Sequence, residues 1–78
     1  MSNHATFEET ARWARSATAN TLTRFELLYQ AAWRRSVELA ERDANNGGHK
    51  DDGFWADMAE TAKARLDAVT AELEWRNQ

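Results

Sequence analysis

Cysteine and proline are both absent from this sequence, and glycine occurs only three times, at Gly47, Gly48 and Gly53. Without cysteine no disulfide can brace the fold and no thiolate can hold a metal or attack a substrate. Without proline no position must break a helix, and glycines confined to one stretch leave long segments on either side free to be helical. No apolar run approaches the roughly 20 residues that cross a bilayer, and the opening MSNHATFEE has no basic segment followed by an apolar one. The expected setting is therefore the cytoplasm, with no membrane. A glycine-rich phosphate loop, a zinc-ligand pair and a nucleophile motif are missing as well. Neither an enzyme nor a cofactor-binding protein is expected.

What is present is helix-forming. Ala, Arg, Glu and Leu are abundant, which points to an all-α protein. At 78 residues the chain is read as one domain, 1–78, near the size where a single core yields only a few kcal/mol. Residues 1–42 carry six Arg against five Glu, whereas 43–78 carry four basic and eight acidic side chains, for a net charge of -3. That balance makes a general attraction to nucleic acid unexpected.

From Trp55 onward Ala59, Ala62, Leu66, Val69 and Leu73 recur at spacings of four and three, the seam of a helix packed along one partner. This predicts a helix over 53–76, capped by Asp51 or Asp52 and laced by the i,i+4 pairs Lys63–Asp67 and Glu72–Arg76. Upstream, Phe25, Leu28, Tyr29, Ala32, Trp33, Val37, Leu39 and Ala40 cover about half of a helix over 24–44, with Thr23 and Glu26 as its capping box. Two helices of matching length joined at 45–52 form an antiparallel hairpin. Trp33 and Trp55 are expected in its core.

A weaker helix is predicted over 7–19, opened by a capping box of Thr6 and Glu9. The stretch SATANTLT, 16–23, is rich in residues that compete for backbone hydrogen bonds, yet Phe7, Ala11, Ala14, Thr18, Leu22 and Phe25 stay in helical phase across it. Leu27, Ala31, Ala64, Ala68, Ala71 and Trp75 lie off the hairpin seam and need covering. The first helix, folded back, supplies that cover in a small three-helix bundle. The alternative is a long kinked first helix whose hairpin dimerises.

The connecting stretch ERDANNGGHKDDGFW, 41–55, resembles an EF-hand calcium loop read from Asp43: Asn45 stands at position three, Gly48 at six and Asp51 at nine. The pattern fails at Gly47, at Lys50 and above all at Phe54, where a bidentate glutamate belongs. His49 has only Asp51 and Asp52 nearby in sequence, and His4 is remote. A turn, with no metal, is the expectation.

Two charged rails remain as candidate surfaces. Asp57, Glu60, Asp67 and Glu74 follow one face of the last helix, interleaved with Ala64 and Ala71, and suit a partner with a basic surface. Trp75, Trp13 and Leu27 are the apolar anchors expected beside them. Arg24, Arg34, Arg35 and Arg42 offer a phosphate-binding rail on the second helix, but hairpin pairing sets Arg42 opposite Asp57 and Arg24 opposite Glu74, as flanking ion pairs. The function expected from these surfaces is that of a non-enzymatic protein-binding module, a regulator or inhibitor of a larger assembly, with self-association as a homodimer open. In size and composition it resembles small inhibitors encoded by phages and other mobile elements, anti-CRISPR proteins among them, a likeness that no motif carries. A helical nucleic-acid-binding regulator is the alternative.

Overall fold

The computed structural model describes residues 4–45 and 53–78. Three helices account for nearly all of them: α1, His4–Ser16; α2, Ala19–Asn45; and α3, Phe54–Arg76. The architecture is the expected small all-α three-helix bundle. α2 and α3 form the antiparallel hairpin, and its register follows from the contacts that cross it. Thr70 donates a hydrogen bond of 2.9 Å to Glu26, and the Lys63 ammonium lies 5.5 Å from the Trp33 ring centroid.

The chain breaks at Ala17 and Thr18, which settles the ambiguity of the SATANTLT stretch. Thr18 is the N-cap of α2: its hydroxyl oxygen accepts from the Thr21 amide at 3.2 Å, and its carbonyl accepts from the Leu22 amide at 2.9 Å. Thr23, expected as the cap, instead sits inside α2 and donates its hydroxyl to the Ala19 carbonyl at 2.9 Å. α1 likewise starts before the expected capping box, so Thr6 is helical. At the start of α3 the N-cap is Gly53 in left-handed backbone, φ 85°, with no side-chain cap. Asp51, Asp52 and His49 lie outside the described residues, as do the other positions of 46–52, where most of the expected turn falls. Because α2 continues through Asn45, the first and third positions of the supposed calcium loop, Asp43 and Asn45, stand in helical backbone.

α3 packs against both other helices, whereas α1 and α2 scarcely touch. α1 runs in the same sense as α3, with Phe7 and Ala11 near Ala68 and Ala71 and its end held at Arg76. The Arg76 guanidinium donates to the carbonyls of Ala14 at 2.9 Å, Ala17 at 2.8 Å and Arg15 at 3.3 Å. Its Nε is fixed by Glu72 at 2.9 Å. This cation occupies the negative end of the α1 dipole and satisfies carbonyls that a helix terminus leaves without partners.

The core lies where all three helices overlap. Ala14, Leu22 and Val69 are fully buried, with Ala17, Tyr29 and Leu73 packed against them. Ala59, Ala62 and Ala68 are also buried. At about 1.5 Å per residue α1 is about 20 Å long against about 40 Å for α2, so α1 covers only half of the hairpin. Among the described residues no third helix lies on the remainder, and the molecule measures 46 × 22 × 17 Å.

Candidate functional site

Trp75 occupies the last turn of α3 and is 70% exposed, the most exposed of the large apolar side chains among the described residues. It stands at the mouth of an open cleft of about 640 Å³ between α1 and α3, whose floor is Ala68 and Ala71 and whose edges are Phe7, Ala11, Arg15 and Glu72. Small floor residues are what create the cleft: at Ala68 and Ala71 no side chain extends far enough to fill the space between the two helices.

None of the acidic-rail residues lines this cleft. Asp57, Glu60, Asp67 and Glu74 are all exposed, and their spacings of three, seven and seven keep them on the face of α3 opposite Ala59, Ala62 and Val69. Asp67 is bound by Lys63 at 2.6 Å, as the i,i+4 spacing predicts. Glu72, which the same rule pairs with Arg76, carries the Arg76 clamp already described. Of the rail, Glu74 adjoins Trp75 in sequence, whereas Asp57 and Glu60 stand in the first half of α3, away from the Trp75 surface.

Trp13 and Leu27 do not join it. Trp13 is on the other side of α1, edge-on to Phe25 with ring centroids 4.9 Å apart, in a separate cleft with Thr10, Tyr29 and Arg65. Phe25 in turn meets Tyr29 at 5.5 Å, so Trp13 is the outer member of an aromatic row that joins α1 to α2. Leu27 is 64% exposed on the outward face of α2, in a shallow groove with Ala31, Arg34, Arg35 and Glu38. α1 was expected to cover Leu27 and Ala31. Because it packs mainly on α3 and meets α2 near Leu22 and Phe25, away from these two positions, both stay exposed.

Arg24, Arg34, Arg35 and Arg42 are exposed on α2. The cross-helix pairs expected of Arg42 with Asp57 and of Arg24 with Glu74 do not form among the described residues. Arg35 pairs instead with Glu38 at 3.4 Å, one turn along its own helix, as Lys63 does with Asp67 and Arg76 with Glu72 in α3. Trp33 and Trp55, expected in the core, are only half-buried; Trp55 meets Phe54 edge-on at 4.8 Å.

Met58 and Phe54 are exposed apolar residues that periodicity did not single out, and Leu28, which it did, is exposed as well. Leu28 was placed in the hairpin seam. The signal against that placement is its neighbour: Ser36, two turns on and buried, takes a position that a seam including Leu28 would have filled with a larger apolar side chain.

No family model matches this chain, and no curated protein or solved structure matches it.

Proposed function

We propose that this chain is a non-enzymatic, helical protein-binding module that seats a partner on the Trp75 cleft and the acidic face of α3. The single observation that carries the reading is the 70% exposure of Trp75 beside an apolar cleft. A large aromatic left in water over a small-residue floor has the form of an interface anchor, since burying it on a partner returns the apolar area it leaves unburied on folding. The carboxylates next to it favour a partner whose surface is basic. A protein of this kind regulates or inhibits a larger assembly by occupying one of its surfaces.

The test is capture of the native partner by tagged protein. Trp75→Ala combined with Glu74→Lys is expected to lose the partner while helical content and unfolding midpoint are kept, because both residues are exposed. Leu27→Ser, equally exposed on another face, is expected to keep it. Partner recovery that is equal in all three proteins removes the cleft from the proposal. A partner lost only when Arg24 and Arg42 are changed to Glu, with binding to random DNA that falls steeply with salt, supports the nucleic-acid reading instead.

A further inference from the structure

Only Ala17 and Thr18 separate α1 from α2. In a helix drawn through this joint, the carbonyls of Ala14, Arg15 and Ala17 accept from the amides of Thr18, Ala19 and Thr21, each four positions on. In the bent joint the same three carbonyls accept from the Arg76 guanidinium, at 2.9, 3.3 and 2.8 Å. One side chain of α3 thus stands in for the helical bonds that the bend removes. We propose that the joint is a hinge latched by Arg76. When it opens, α1 and α2 become one helix, and two copies of the chain exchange their α1 segments, each seated on the α3 of the other.

The joint itself is the first argument, because its residue types do not enforce a bend. The stretch SATAN, 16–20, holds neither glycine nor proline, and neither Ala17 nor Thr18 has left-handed backbone. Both can rotate to helical angles without strain. The start of α3 is different, since Gly53 at φ 85° fixes the chain there. What holds the bend is Arg76 together with the Thr18 hydroxyl, which accepts from the Thr21 amide at 3.2 Å. Straightening replaces both with backbone bonds.

Phase is the second argument. A chain that reverses between α1 and α2 needs no angular relation between their apolar stripes. Yet Phe7, Ala11, Ala14, Leu22, Phe25 and Tyr29 fall within about a quarter of the circumference of a single helix drawn through the joint. A straight helix from His4 to Asn45, about 60 Å long, therefore carries one continuous apolar stripe. Its own α3 ends beside the joint, at Arg76, so the α1 half of the stripe overhangs and needs a second α3.

Direction is the third. The closed chain packs α1 parallel to α3, with Phe7 near Ala68 and Arg15 near Trp75. Straightened, α1 points past the open end of the hairpin and runs against the direction of its own α3. A copy turned end for end, by a twofold axis beside the joints, presents its α3 in that reversed direction. The exchanged α1 then lies parallel to the α3 it meets, as before. Closed and exchanged forms share the α1–α3 interface and differ at the joint, where Arg76 serves the closed form alone. In the exchanged pair each Trp75 cleft takes Phe7, Ala11 and Arg15 from one copy and Ala68 and Ala71 from the other.

Sedimentation of the full chain over about a hundredfold range of concentration, with hydrogen exchange at the joint, tests the proposal. Arg76→Ala removes the latch, and Thr18→Ala removes a cap that only the bent joint uses. Each is expected to lower, by about tenfold or more, the concentration at which the mass passes from 8.9 kDa to twice that value, since every exchanged pair opens two joints. The Thr18 and Ala19 amides are expected to gain protection in the heavier species, because the start of α2 leaves them without helical partners. Ala19→Pro provides the reverse test: proline suits the first position of α2 in the bent joint and breaks a helix that runs through it. Added to either variant, it is expected to restore the 8.9 kDa mass at the same concentrations. A species of doubled mass that survives Ala19→Pro, or whose Thr18 and Ala19 amides stay unprotected, overturns the proposal. So do Arg76→Ala and Thr18→Ala chains that both stay monomeric at every concentration. Thr18→Ala carries the test alone should Arg76→Ala lose its helical signal. These measurements use no partner, so their failure is distinct from a failure of the Trp75 reading.

Discussion

The two ends of the α2–α3 hairpin are built from the same pair of helices and differ in what lies on them. At the α1 end, Ala14, Leu22 and Val69 are sealed from water by a helix of only 13 residues. At the other end large aromatics are abundant, yet Phe54 meets Trp55, Trp33 lies under Lys63, and none of the three is buried. Side-chain size therefore does not decide where the core forms. A third layer does, and it can approach α3 because Ala68 is small.

The sharpest way to break that comparison is to empty one position at each end. Leu22→Ala is expected to cost about 2 to 4 kcal/mol, since the cavity it leaves is enclosed on all sides. Leu66→Ala, at a half-buried seam position, is expected to cost clearly less, about 1 to 2 kcal/mol, because water or neighbouring side chains can enter. Urea denaturation of both variants measures the difference. Equal losses would mean that the covered end is no better packed than the rest of the seam.

The next effect concerns how α1 is held. Arg76→Ala removes the donor shared by the carbonyls of Ala14, Arg15 and Ala17, and charge-assisted bonds of this type are worth about 1.5 to 3 kcal/mol where they cannot be replaced by water. Roughly 2 kcal/mol is expected, because the side chain is partly exposed. Hydrogen exchange should locate the loss in α1, with amides of residues 30–40 and 55–65 unaffected. Protection lost evenly along the chain would show that α1 is not a separate unit.

The smallest effect belongs to the bare end. Lys63→Ala removes both the ion pair with Asp67 and the stacking over Trp33, each exposed and each worth about 0.5 kcal/mol. A total below about 1 kcal/mol, read from the urea midpoint, is expected. A loss as large as that of Arg76→Ala would place the bare end on equal terms with the covered one.

Much of this fold was legible in local spacing. The three-four pattern from Trp55 to Leu73 located α3 to within a residue, and the i,i+4 rule identified Lys63–Asp67 and Glu72–Arg76. The start of α2 was not legible, because Thr18, Thr21 and Thr23 are all capable of capping and only the turn of the chain selects Thr18. Nor was the partner of α1: its apolar stripe fits α2 or α3 equally well, and the choice rests on Arg76 meeting carbonyls 59 to 62 positions away. Of the candidate surface, Trp75 and the acidic rail could be read as a face off the seam. Leu28 could not, since adjacent Leu27 and Leu28 both suit a helix face, and here both stay exposed.

That reach from one end of the described chain to the other has a kinetic meaning. α2 and α3 adjoin in sequence and close a short loop, whereas α1 gains its seat only after α3 is complete and close by, at the higher entropic cost of a long loop. α1 is then expected to dock last and depart first. Substitutions in α1, such as Phe7→Ala, should leave the refolding rate unchanged and raise the unfolding rate, so that one limb of the denaturant-dependent rate plot moves while the other stays. A slowed refolding limb would put α1 in the nucleus and reverse that order.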